Sequence, residues 1–302
     1  MNCDETALTF VCGDNLLVGV LARPRRDVPT ADTAVIVVAG GPQYRVGSHR
    51  QFALLSRALA GAGYPVLRFD ARGAGDSGGE PRDFEARDDD ITAAIAAVRR
   101  QLPGIGRVVL LGLCDGASAA LLYLHRRADR AVSGLGLLNP WVRTPAGLAR
   151  TYIKHYYLRR LAQPDFWHKL LAGAVSPRAL RDLAGNLRLA GRRGPAASAT
   201  SMPFPQAMAA AWRAFSGPIL LVLSGDDYTA REFVDHVAMR PEWQGNLDRG
   251  NVTRVDLAGA NHTFANAFDR QRVASEVLGW LGRVAPLPTG PGSRVVHNGG
   301  VL

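Results

Sequence analysis

The chain has 302 residues, 47% of them hydrophobic and 21% charged, enough to bury a sizeable core as one large α/β domain or a core domain carrying an insertion. No uncharged apolar run approaches the roughly 18–20 residues that span a bilayer. Met1–Thr9 includes Asp4 and Glu5, which does not read as a secretory signal, so a cytoplasmic protein is the expectation. Its net charge of +10 would ordinarily point to a polyanionic partner, but 34 of the 36 basic residues are arginine, with Lys154 and Lys169 the lysines, as a GC-rich coding sequence gives.

The charge excess is nonetheless local. Residues 141–200 hold eleven Arg and Lys against Asp165 and Asp182. The three cysteines, Cys3, Cys12 and Cys114, form neither a disulfide framework nor a metal-ligand cluster. Each thiol stands alone, and a reducing compartment is expected.

In chain order, Leu8–Val11 and Leu16–Leu21 flank a polar turn and predict an opening β-hairpin. Residues 33–40, "TAVIVVAG", are a continuous apolar run, as a strand buried on both faces requires. Residues 50–62 have helical spacing, "YPVLRFD" at 64–70 reads as a strand, and "ARGAGDSGG" follows as a glycine-rich turn. A helix over 84–101, a strand over 107–112, a helix over 115–126 and a strand over 133–139 complete the alternation. This order predicts a doubly wound, mostly parallel sheet.

Residues 141–215 then lack strand signals and carry helical stretches, so they are expected to form a helical cap inserted between core residues 1–140 and 216–284. The sheet resumes with strands at 217–225 and 252–257 and helices near 229–239 and 267–283. Residues 285–302, rich in Pro and Gly, are expected to be disordered.

"GLCDG", Gly112–Gly116, has the form G-x-C-x-G between a strand and a helix. In the serine version of this motif the glycines let strand and helix approach closely while the nucleophile takes a strained turn. Cys114 is therefore the candidate nucleophile, with a helix N-terminus to favour a thiolate and the Asp115 N–H to face a developing oxyanion. A buried structural thiol is the alternative.

The base that a nucleophile needs is sought after the cap, where His236 lies in a predicted helix and His297 in the tail. His262, in "GANHTF" after the last strand, opens on the same sheet edge as Cys114. "LSGDDYT" puts Asp226 and Asp227 at the end of another strand. Asp227 is the preferred acid, because a glycine two residues before it is the commoner turn, with Asp226 as the alternative and a helix cap as the ordinary role for either.

Gly40–Gln43 follows the first long strand, where a second oxyanion donor is usual. Pro42 has no N–H, which leaves Gly41 or Gln43. The formal G-x-G-x-x-G inside "RGAGDSG" does not open a helix directly, so it reads as a structural turn, with Asp70 and Arg72 expected to buttress it as an ion pair. No metal or organic cofactor is implied.

Nucleophile, acid and base in the order 114, 227 and 262 match the α/β-hydrolase order. With "GGPQYRVGSHRQF" (40–52), "FDARGAGDSGG" (69–79), "GLCDGASAALLY" (112–123), "LSGDDYTAREF" (223–233) and "NHTF", the chain resembles an α/β-hydrolase with cysteine for serine. More narrowly, it resembles the hydrolase 1 family associated with the exosortase A system. The resemblance covers about residues 35–280 and implies a cytoplasmic bacterial enzyme linked to exopolysaccharide production.

The expected activity is hydrolysis of a small-molecule ester or thioester through an acyl-enzyme. Acyl transfer by the same residues is the enzymatic alternative. A non-catalytic binding protein, contacting an anionic polymer or membrane surface through the aromatic and basic stripe "TYIKHYYLRR" (151–160), is the other; nucleic acid is not expected as a partner.

Overall fold

The computed structural model describes residues 3–41, 43–142 and 202–288. Most of the cap segment, the basic stripe included, and the tail from 289 lie outside the described residues.

Eight strands form one sheet in the order β1-β2-β4-β3-β5-β6-β7-β8. They are β1 (Cys3–Cys12), β2 (Asn15–Pro24), β3 (Thr33–Val38), β4 (Val66–Phe69), β5 (Arg107–Leu113), β6 (Val132–Leu138), β7 (Ile219–Asp226) and β8 (Val252–Asn261). The β1–β2 hairpin joins the sheet through an antiparallel β2–β4 pair, and the five pairings from β4 to β8 are parallel. The predicted hairpin strands are longer in the fold than their apolar cores, because sheet pairing carries polar residues such as Glu5 along with them.

Both faces are covered, which explains the unbroken apolar runs. Ala34, Ile36, Val38, Leu110, Leu135, Leu137 and Leu221 point into one core. The intervening Val35, Val37, Val109, Leu111, Leu220 and Val222 point into the other. The first core is closed by α2 (Asp88–Gln101), α3 (Asp115–Arg127), α4 (Phe204–Ala214) and α5 (Tyr228–Met239); the second by α1 (Gln51–Gly61) and α6 (Ala267–Val284).

Helix α4 moves a boundary. Sequence put residues 204–214 inside the cap, but Met208 and Trp212 are fully buried in the first core and the helix packs on α3. Its apolar stripe is satisfied by the sheet domain itself, and the Trp212 indole N–H donates to the Asn246 carbonyl at 2.9 Å.

The glycine-rich turn at 72–79 is structural, though with other partners than expected. Asp70 is fully buried and pairs with Arg45, not Arg72, and it accepts from the Arg45 and Asp76 N–H groups at 2.6 and 3.0 Å. Arg72 instead pairs with the buried Asp90 at 2.6 Å. The strand ends at Phe69 and the chain turns at Arg72, so the side chains of 70 and 72 reach different neighbourhoods. Gly75, at φ +53, lies so close to the Asp70 carboxylate that no side chain fits.

Candidate active site

Strand β5 ends at Leu113 and α3 begins at Asp115, which leaves Cys114 alone to make the turn, at φ 59, ψ −125. A left-handed conformation is costly for any residue with a Cβ and persists only where the surroundings over-determine it. Here the Cys114 N–H donates to the Leu138 carbonyl at 2.9 Å, and its own carbonyl accepts from Ala117 and Trp141 at 3.1 and 3.2 Å.

The flanking glycines are required by contact. A Cβ on Gly112 would stand 2.5 Å from the Ala117 nitrogen, and one on Gly116 would strike the Val38 carbonyl oxygen. The side chain so presented is half-buried, whereas Cys3 and Cys12 are buried. Burial and the neighbouring Asp90 push the Cys12 thiol up to about 11, so it stays protonated and inert.

Of the two aspartates after β7, only Asp227 reaches the histidine. Its Oδ2 lies 2.7 Å from His262 Nδ1. The carboxylate also caps α5, accepting from the Thr229 and Ala230 N–H groups at 3.0 and 3.2 Å. Orienter and helix cap, treated as alternatives from sequence, are thus one side chain performing both. Asp226 is 79% exposed and 3.9 Å from Arg231.

Burial of His262 opposes its charge, but the hydrogen bonds and charges of Asp227 and Cys114 outweigh that and push the imidazole up to about 10. Both neighbours thus favour the charged ring, and Asp227 holds it at Nδ1.

A clamp that sequence reasoning missed fixes the histidine loop. Asn139, fully buried at φ 44, donates from Nδ2 to Ser224 Oγ at 2.9 Å and to the His262 carbonyl at 3.1 Å, and its Oδ1 accepts from the Ser224 N–H at 2.8 Å. Ser224 Oγ donates in turn to the Asn261 carbonyl at 3.0 Å. The ends of β6, β7 and β8 are thereby locked together. Asn139 ends the strand predicted over 133–139, but nothing in its local pattern tells which partners its amide takes.

The oxyanion side differs from expectation. Asp115 opens α3, where helix N–H groups have no intrahelical acceptor. The Gly41 N–H, however, donates to Asp115 Oδ1 at 2.5 Å, and the Gln43 N–H donates to the Gly40 carbonyl at 3.2 Å. Both candidate second donors are occupied. The Asp115 carboxyl fills the space a Gly40 side chain would need, and burial raises its pKa against the pull of Arg87 and the backbone N–H groups. Arg87, itself buried, donates to the Ala39 and Gly41 carbonyls and so pins the loop from the other side.

Among the described residues, no three His, Cys, Asp or Glu side chains are grouped so as to hold a metal ion, and no helix is long and apolar enough to cross a membrane.

The chain belongs to the alpha/beta hydrolase family, whose model matches residues 35–276, and with it to a family of hydrolytic enzymes. Among solved structures it is similar to an esterase of Pyrococcus furiosus, at 16% identity and TM-score 0.61 over 94% of this chain and 92% of that one. A proline iminopeptidase of Mycobacterium smegmatis gives 17% identity and TM-score 0.56 over 92% and 98%. A Xanthomonas campestris serine hydrolase described as lacking a lid gives 18% and 0.55 over 95% and 97%. Among curated proteins, no sequence matches the chain.

Proposed function

We propose that the protein hydrolyses a small-molecule ester or thioester through a covalent acyl-cysteine, with Cys114 as nucleophile, His262 as proton carrier and Asp227 as the group that orients the imidazole. The observation that carries this reading is the Asp227–His262 contact of 2.7 Å on the sheet edge where Cys114 makes the turn from β5 into α3. The sulfur lone pair attacks the acyl carbon, the bond to the leaving oxygen or sulfur breaks, and His262 gives that atom its proton. Neutral His262 then takes a proton from water as the water attacks the thioester, and the acid and the cysteine are released.

Transfer of the acyl group to an acceptor other than water shares the first half of this sequence. The motifs at 40–52, 69–79 and 112–123 support a cytoplasmic role linked to the exosortase A system and exopolysaccharide production. The basic residues of the 141–200 segment support contact with an anionic polymer or membrane surface.

The test is acylation by p-nitrophenyl acetate. Intact-mass analysis is expected to find one acetyl group on the protein and none on Cys114→Ala, with kcat/KM of the variant lower by about 1,000-fold or more. Equal labelling of the variant would discard Cys114 as nucleophile.

A further inference from the structure

Between the first turns of α1 and α6, under the ends of β5 and β6, lies a cavity of about 290 Å³. Its walls are apolar at Phe52, Leu111, Leu138, Phe264 and Ala274 and polar at Gln51, Arg270 and Gln271. Three observations tie it to a ligand at the candidate site.

First, the half-buried Cys114 packs against the same apolar cluster to which the cavity's Phe52, Leu111, Leu138 and Phe264 belong, and its N–H is bonded to the Leu138 carbonyl at 2.9 Å. Phe264 follows His262 by two residues and sits at φ 51. Second, Gln51 is 7% exposed, lines this cavity, and its Nε2 has no hydrogen-bond partner. A buried amide donor without a partner costs free energy, which a bound oxygen would offset. Third, the chain enters α1 through two consecutive left-handed residues, His49 at φ 52 and Arg50 at φ 60. Gln51 and Phe52 follow directly at the head of the helix, and stored strain of this kind concentrates at ligand clamps.

We infer that this cavity receives the acyl chain of the substrate, a medium-length aliphatic chain, with Gln51 donating to an oxygen substituent along it. The inference rests on the acyl-cysteine reading. The volume sits at the low end of small-ligand pockets. At about 30 Å³ for each water-sized group, which a methylene matches, it takes about eight to ten carbons.

Two measurements decide it. In the wild-type enzyme the decanoyl-to-acetyl ratio of kcat/KM for p-nitrophenyl esters is expected to exceed one, and to fall about tenfold or more in Ala274→Trp and in Ala58→Trp, which crowd the cavity and its rim. An unchanged ratio in both variants, each checked to be folded by its thermal transition, overturns the inference while leaving the esterase reading intact.

Calorimetric binding of decanoate and of 2-, 3- and 10-hydroxydecanoate to Cys114→Ala needs no turnover. Decanoate is expected to bind and to be lost with the added Ala274→Trp, and at least one hydroxy acid is expected to bind more tightly than decanoate until Gln51→Leu removes the advantage. Binding without ester turnover would mean that the cavity stands and the catalytic reading falls. No decanoate binding, or binding indifferent to Ala274→Trp, overturns the cavity assignment. Hydroxy acids that never distinguish Gln51→Leu overturn the role of Gln51.

Discussion

The side chain of Asp227 shows how much one residue can be asked to do. It accepts three hydrogen bonds, two from the N-terminus of α5 and one from the imidazole. Asp227→Asn keeps a capping oxygen but removes the charge that holds His262 in its tautomer, so kcat/KM for p-nitrophenyl acetate is expected to fall by about 100- to 10,000-fold with a modest loss of stability. Asp226→Asn, on an exposed side chain, should stay close to wild type. The reverse ranking in steady-state kinetics would reassign the acid.

Asp115 is the opposite case, a carboxyl group that holds the Gly41 N–H to which the proposed mechanism assigns the oxyanion. Asp115→Ala frees the Gly41 N–H, and kcat/KM is expected to rise by about tenfold, the equivalent of one 1.4 kcal/mol interaction. A fall instead would make the carboxyl part of the catalytic apparatus.

At the level of elements, the turn from β5 into α3 depends on backbones passing closer than side chains allow. Gly116→Ala drives a methyl into the Val38 carbonyl on the neighbouring strand, so a loss of about 3 kcal/mol or more is expected in chemical denaturation. Gly41→Ala has open space and only its φ of 56 to resist it, so about 1 kcal/mol is expected. A larger loss at Gly41 than at Gly116 would mean that the elbow is looser than it is drawn.

This element was legible in advance, because strand, glycines and helix each leave a local pattern. Asp227 and His262 were legible too, as polar residues at strand ends that parallel topology brings to one edge. The clamp through Asn139 and Ser224 and the pairing of Asp70 with Arg45 were not. They join residues 85 and 25 positions apart by side-chain geometry, which has no period to read. Nor did the loop at Gly41 reveal that its N–H is taken by a side chain 74 residues away.

For the whole molecule, the charge state of His262 couples the site to folding. Its folded value, about 10, lies above the ordinary histidine value of 6.5, so the imidazolium binds its proton more tightly in the native state. The stability this contributes is full below about pH 6.5 and is lost as the pH rises through about 10. The difference in unfolding free energy between wild type and His262→Gln, from urea titrations across that window, is expected to shrink with rising pH. A difference that grows would put the proton on the wrong side of the equilibrium. Added Cys114→Ala should narrow the effect, since it deletes one of the ring's two partners.

In the proposed mechanism the Gly41 N–H serves the reacting oxygen, and because Asp115 already engages it, the resting enzyme carries its own competitor. Aldehydes, boronates and other tetrahedral mimics must all first dislodge the same internal ligand, so each binds more weakly by one common factor whatever its acyl group. That shared handicap should vanish for the entire series at once in Asp115→Ala, a pattern that no feature of an individual inhibitor could produce.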